Sequence, residues 1–196
     1  TDQFFCMIES VDHEFGRLYN SMTQAQRDST LFIFLGDNGT ANGRLQVYPS
    51  GHGKGSLYEG GIRIPFFMSG YGVDRVGEQE DGLVAVVDIF ATIVEMIGEE
   101  LPGGYDNSYS LKEVMVNQNA VTRTYNYSEQ GTGNEFSRAI RDEQYKLIIH
   151  EDTSGTTMEF YDLQADPYET NELLAGGLSA SQQLVMDDLK MEADSI

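Results

Sequence analysis

The chain has a single cysteine, Cys6, so no internal disulfide can form. It lies among Phe4, Phe5 and Ile8, where a packed thiol is the expected state rather than a reactive one. Basic residues are scarce: 12 Lys and Arg stand against 32 Asp and Glu in 196 residues, a formal net charge of −20. Such a surface repels nucleic acid and anionic membranes, because it has no basic field to attract phosphate. No apolar run approaches the ~20 residues that a membrane-crossing helix needs. No signal segment is recognisable, and the chain enters a helical pattern directly after Thr1, as an excised piece would. Internal repeats and low-complexity segments are missing too. What is present is 40% hydrophobic residues, enough for a core, in a length that suits one domain or a domain with a small appendage.

Phe4, Ile8, Val11, Phe15 and Leu18 recur at helical spacing among acidic residues, which predicts an amphipathic helix over 2–22. Residues 23–29 read as a connection. Leu31 to Leu35 is an unbroken apolar run without alternation, the pattern of a strand covered on both faces in an α/β fold. Residues 39–55, rich in glycine and polar side chains, read as a loop. A second strand is expected over 62–68, with Pro65 marking an edge or bulge. A short strand over 83–87 and a buried helix over 89–97 follow, the helix capped by Asp88 and ended by Gly98. The Pro, Gly, Asn and Ser content of 101–110 marks a boundary, dividing the chain into 1–105 and 106–196. Beyond it come a helical turn or two over 111–116, antiparallel strands at 138–140 and 145–149, a third strand at 159–163, and a last helix. That helix starts at Ser179 or Ser181, with Leu184, Val185, Leu189 and Met191 as its apolar positions.

Ligands of α/β sheets gather beyond the carboxyl ends of the strands, where Asp37 and Asn38 stand. Asp-Asn-Gly is a good turn, and it equally offers two hard oxygens to Ca²⁺ or Mg²⁺. The strand before it and the lysine loop after it favour the second reading. Calcium takes about 6–8 oxygens, so further ligands have to come from elsewhere. Lys54, flanked by Gly53 and Gly55, is either an exposed loop lysine or a point charge set against an anionic oxygen. A nucleotide P-loop is excluded: Gly55 rather than Ser or Thr follows the lysine, and Tyr48 occupies the early glycine position. His52 either donates to the same anion or is an exposed loop histidine. His13 and His150 read as structural. Glu59 and Arg63 are expected to pair and brace Gly60-Gly61. Two glycosylation sequons, at Asn38 and Asn126, are weak signals, and the first conflicts with a metal role.

The run from Thr30 to Gly39, followed by Gly53-Lys54-Gly55-Ser56-Leu57-Tyr58-Glu59-Gly60-Gly61-Ile62-Arg63-Ile64-Pro65, resembles the second half of a sulfatase, in the alkaline-phosphatase-like superfamily. Val87 to Ile93, Tyr145-Lys146-Leu147, Tyr161-Asp162-Leu163 and Asp166 to Leu173 resemble later parts of that family, in its order. The resemblance implies part of a sheet sandwiched by helices, then a small antiparallel α+β subdomain. It also implies hydrolysis of sulfate esters. Asp37 and Asn38 then correspond to metal ligands, usually for Ca²⁺, and Lys54 to the lysine that contacts the sulfate. The family's nucleophile is a formylglycine made within a Cys/Ser-x-Pro/Ala-x-Arg motif, which Cys6-Met7-Ile8 does not match. The formylglycine and the N-terminal half of the catalytic domain are therefore expected outside this chain, and the isolated piece is expected to be inactive. The alternatives are a phosphodiesterase or phosphonate hydrolase of the same superfamily, or a non-catalytic binding module. Periplasmic, extracellular or lysosomal location follows from the resemblance alone. Stripped of its sheet partners, the piece is expected to self-associate.

Overall fold

The computed structural model describes residues 2–105, 107–118 and 120–196. Helix α1 (Asp2–Ser21) follows the helical pattern of the sequence. Its apolar stripe is not buried: Phe4, Phe5, Met7, Ile8 and Val11 are each 45% exposed or more, and Cys6 is exposed with them. Only the C-terminal half meets the rest of the chain, where Phe15 and Tyr19 pack their rings against Phe32. The expected connection at 23–29 holds a short helix, α2 (Gln24–Asp28). Thr23 caps it, and Gln26 reaches back to the Thr23 backbone in a capping box.

Strand β1 (Leu31–Leu35) pairs antiparallel with β2 (Phe66–Gly70), and among the described residues it has no other partner. The second strand starts later than its sequence suggests, because Ile62 closes a one-turn helix, α3 (Glu59–Ile62), ahead of Pro65. A 3-10 turn at Asn42–Arg44 lies in the loop between β1 and α3. Residues 83–87, expected as a strand, are instead irregular at 83–85 and turn at 86–87 into α4 (Asp88–Met96). Asp88 is the first helical residue rather than the cap, yet its carboxylate still accepts from Ala85 N–H at 2.7 Å. It is fully buried and paired with Arg123 (Nη2–Oδ1, 2.6 Å). Gly98, at φ +81°, follows the helix as expected. The short helix α5 (Lys112–Val116) comes next. The boundary expected at 105/106 falls on Asp106, outside the described residues.

The C-terminal part is a four-stranded antiparallel meander in the order β3 (Asn126–Thr132), β4 (Glu135–Arg141), β5 (Tyr145–Asp152), β6 (Gly155–Asp162). After it come a 3-10 turn at Leu174–Gly176 and helix α6 (Ala180–Ser195), capped by Ser179 with Gln182 completing a capping box. Alternation along the strands divides the side chains between two faces. Ile140, Leu147, Ile149 and Phe160 join Met186, Leu189 and Ala193 of α6 in one core. Leu184 and Met191, expected on that inner face, are 71% and 66% exposed. Ala139, Ile148, Tyr161 and Leu163 point the other way and pack against Leu57, Tyr58 and Ile62. This second cluster seats the lysine loop and α3 on the meander, so the candidate site rests on the C-terminal sheet.

Candidate anion and metal site

The backbone brings the two parts of the sequence motif together. After β1, Gly36 N–H donates to Pro65 O at 3.0 Å, and the chain turns through Asp37 and Asn38. Gly39 and Thr40 then donate to the carbonyls of Gly61 and Gly60, both at 2.8 Å, and Lys54 N–H donates to Thr40 O at 2.7 Å. The Lys54 backbone is thus tied to Thr40, which stands two residues beyond Asn38. The approach is so close that side chains do not fit. A Cβ on Gly39 would lie 2.2 Å from Gly60 O, and one on Gly61 would lie 2.4 Å from Ser56 O. Asn42 fastens the far side of the loop, accepting from Gly53 N–H and donating to Lys54 O.

Asp37 and Lys54 are exposed, and neither side chain pairs with another group among the described residues. Asn38 is half-buried; its Nδ2 donates to Gly39 O at 2.9 Å, which leaves Oδ1 free to act as a ligand. The donor set suits a hard cation: one carboxylate and one amide oxygen at the end of a strand. It is incomplete, since no group of three or more His, Cys, Asp or Glu able to hold a metal exists among the described residues. An open groove of about 1810 Å³ passes alongside, lined by Thr40, Tyr48 and Glu59 but not by Asp37, Asn38, His52 or Lys54.

His52 is not free in the loop: its N–H donates to Pro49 O at 3.1 Å, and its ring is held by stacking rather than by a hydrogen bond among the described residues. Its ring stacks flat on Tyr58, with centroids 3.6 Å apart and 2° between the planes, and its Nδ1 is buried without a partner. Burial pushes the imidazole below its ordinary value, only partly offset by the Glu159 carboxylate, so the ring is neutral at pH 7. Tyr58 in turn donates its hydroxyl to both oxygens of Glu159, at 2.9 and 2.8 Å. Glu159 also accepts from Tyr161 and contacts His150 Nε2 at 3.0 Å, while His150 Nδ1 meets Ser137 Oγ at 2.9 Å. The His150 contact, helped by the Tyr161 and Tyr58 hydroxyls, holds the Glu159 carboxyl at about 2, despite burial. Burial and then the Glu159 bond push the Tyr58 phenol well above its usual range.

The start of α3 rests on a second network. Glu59 was expected to pair with Arg63; instead its carboxylate meets Lys146 Nζ at 3.2 Å and Arg141 Nη1 at 3.0 Å, with only its backbone carbonyl accepting from Arg63 N–H. Lys146 is fully buried and also contacts Glu169 Oε1 at 2.8 Å. Glu169 Oε2 accepts from Glu59 N–H at 2.6 Å, filling an open donor at the helix start. Burial raises the Glu169 carboxyl, and Lys146 opposes the rise. Glu169 sits at φ +56°, a left-handed conformation uncommon for a side chain of this kind. None of these partnerships was read from the sequence; the three partners of Glu59 lie 82 to 110 residues from it. The one available signal was Lys146 itself, a cation inside the otherwise apolar run of β5. The sequon at Asn126 is also engaged: its Nδ2 donates to Val84 O at 3.0 Å.

A strand-end acid and amide, a clamped lysine loop and a trailing antiparallel subdomain make up an α/β fold with a smaller α+β subdomain. The comparisons agree. The sulfatase family profile matches residues 1–99, and the profile described as N-sulphoglucosamine sulphohydrolase, C-terminal, matches residues 51–194. The chain belongs to the sulfatase family. It is 25% identical over 175 residues to an arylsulfatase of Clostridium perfringens, covering 87% of this chain and 35% of that protein. It is 28% identical over 194 residues to an N-acetylgalactosamine-6-O-sulfatase of Bacteroides thetaiotaomicron, covering 85% and 37%. A solved structure of a protein in complex with its substrate D-glucosamine-2-N,6-O-disulfate superposes with a TM-score of 0.80 at 24% identity, over 96% of this chain and 39% of that one. The chain therefore spans little more than a third of the length of the curated relatives it matches.

Proposed function

We infer that this chain supplies the C-terminal part of a sulfuric-ester hydrolase and that Asp37, Asn38, His52 and Lys54 belong to its sulfate site. The reading is carried by one observation: the backbone clamp through Thr40 holds Lys54 beside the end of β1, with Asp37, Asn38 Oδ1 and the Lys54 ammonium all free of internal partners among the described residues. In a chain of net charge −20, an unpaired lysine whose backbone is tied to Thr40, two residues after Asn38, is suited to an external anion. Asp37 and Asn38 would hold Ca²⁺ or Mg²⁺ together with ligands from outside the chain. When bound, that ion supplies Lewis-acid polarisation of the sulfate. Lys54 places its positive charge on a sulfate oxygen and offsets the charge that grows there as the S–O bond breaks, which stabilises the transition state. Neutral His52 adds a hydrogen bond without competing for the metal's charge. The nucleophile is supplied from outside these residues, and the whole protein works in a periplasmic, extracellular or lysosomal setting.

The test compares an aryl sulfate, a sulfated amino sugar, an aryl phosphate and a phosphodiester as substrates of the whole protein that carries this chain. Sulfate esters are expected to turn over fastest, and the isolated chain to be inert on all four. Faster phosphodiester hydrolysis would transfer the protein to a sister activity of the superfamily. Tight calcium or sulfate binding by the isolated chain in calorimetry would instead favour a self-sufficient binding module.

A further inference from the structure

A cluster of partnered polar groups on the C-terminal sheet ends on Tyr58, against which His52 of the lysine loop stacks. We propose that Glu159, on β6, is a positioning residue for the segment His52–Lys54, acting through the hydroxyl and the ring of Tyr58. The proposal rests on the reading of Lys54 as the sulfate contact.

The chain of contacts is continuous. Glu159 is anchored from two sides, by His150 of β5, itself set by Ser137 of β4, and by Tyr161 of its own strand. Its two oxygens converge on one hydroxyl, that of Tyr58. A carboxylate that takes a phenol with both oxygens fixes the direction of the ring, and a charge-assisted bond is about twice as strong as a neutral one. The Tyr58 ring is then the flat surface on which His52 lies. With its plane set, His52 has little choice of proton site. Nδ1 is buried with no partner, and an orphaned buried N–H is rarer than an orphaned acceptor, so the proton belongs on Nε2. The same stack fixes the direction in which the chain leaves His52, through Gly53, where a Cβ would sit 2.5 Å from Thr40 O, into Lys54. A displacement of about 1 Å in a group that orients substrate costs on the order of 10²-fold in rate. A carboxylate on the C-terminal sheet thereby sets the course of the loop that carries Lys54.

The chain has three histidines, so selective histidine labelling gives three resolvable ring signals. In the unsubstituted chain the His52 ring protons are expected upfield, under the Tyr58 ring, with Nδ1 showing the nitrogen shift of an unprotonated imidazole nitrogen. Glu159→Gln and Tyr58→Phe are each expected to reduce the upfield displacement while the His13 signal stays in place. If Glu159→Gln does not fold, Tyr58→Phe, which removes one oxygen, carries the same test. In the whole protein, either change should lower kcat on an aryl sulfate by about 10–100-fold, with a smaller effect on KM. A His52 signal unmoved in both folded variants overturns the proposal, as does a whole protein whose sulfate turnover is indifferent to both. A His52 signal that moves, in a whole protein that hydrolyses no sulfate ester, sinks the proposed function and leaves the Glu159–Tyr58–His52 link standing.

Discussion

Replacing Lys146 with Met should strip the buried network of its central charge. In the native chain Lys146 and Arg141 balance Glu59 and Glu169, and both the Lys146 and Glu169 side chains are 1% exposed or less. Methionine fills most of the volume but leaves Glu169 facing Glu59 with no cation at 2.8 Å. Breaking a buried pair from one side costs about 3–5 kcal/mol, because the remaining charge is left uncompensated. At roughly 2–4 °C per kcal/mol for a chain of this size, Tm falls by about 6–20 °C. The pH dependence has a definite sign. Burial already raises the folded-state carboxyl of Glu169, and losing Lys146, the leading opposing influence, raises it further. A group with a raised folded value contributes stability that is full below its unfolded value, near 4.5, and is lost as pH rises through the folded value. The Lys146→Met defect should therefore be largest at pH 7.5 and shrink towards pH 4.5, where a carboxyl raised in the folded state takes up its proton. Urea unfolding followed by far-UV circular dichroism at both pH values measures this. A loss below ~1 kcal/mol at pH 7.5, or the same loss at both, would refute the reasoning.

Gly39→Ala forces a Cβ to within 2.2 Å of Gly60 O, and should cost about 1–3 kcal/mol or more by thermal melting while leaving α6 intact. Glu159, held at about 2, contributes stability that is present above its unfolded value and lost as pH falls towards 2. The stability of Glu159→Gln should accordingly lose this part of its acid dependence between pH 4.5 and 2, and an unchanged acid limb in denaturant titrations would contradict the assignment. The exposed stripe of Phe4, Phe5, Ile8 and Val11 should make the isolated chain self-associate, and Phe5→Glu with Ile8→Glu should reverse it; a strictly monomeric parent chain in light scattering at high concentration counts against this.

The legible parts of the fold were those whose signals are local. β1 is an uninterrupted apolar run, α6 has Ser179 followed by Gln182, and β4 and β5 flank a short turn, so each could be read where it stands. The capping box of Thr23 and Gln26 was equally local and was passed over, because residues 23–29 have no apolar stripe. β3 was illegible for a different reason. Asn126 to Thr132 is polar, and its strand form comes from pairing with β4 rather than from propensity. Residues 83–87 failed in the opposite direction: they carry strand-forming side chains but find no ladder among the described residues, and they lead through a turn into α4, whose first residue Asp88 is buried against Arg123. At the candidate site, Asp37, Asn38 and Lys54 were visible as residue types placed at a strand end and in a glycine loop. The supports, Glu159 under Tyr58 and Lys146 under Glu59, were not, since tertiary folding alone brings them together.

The central claim is that Lys54, clamped at the end of β1, faces a sulfate oxygen of the substrate. The direct measurement is kcat/KM on an aryl sulfate for the whole protein carrying this chain, with and without Lys54→Ala. Loss of a preorganised charge at the developing anion should lower it by about 10²–10³-fold with the fold preserved. An active protein whose rate survives Lys54→Ala within a factor of about two would contradict the account.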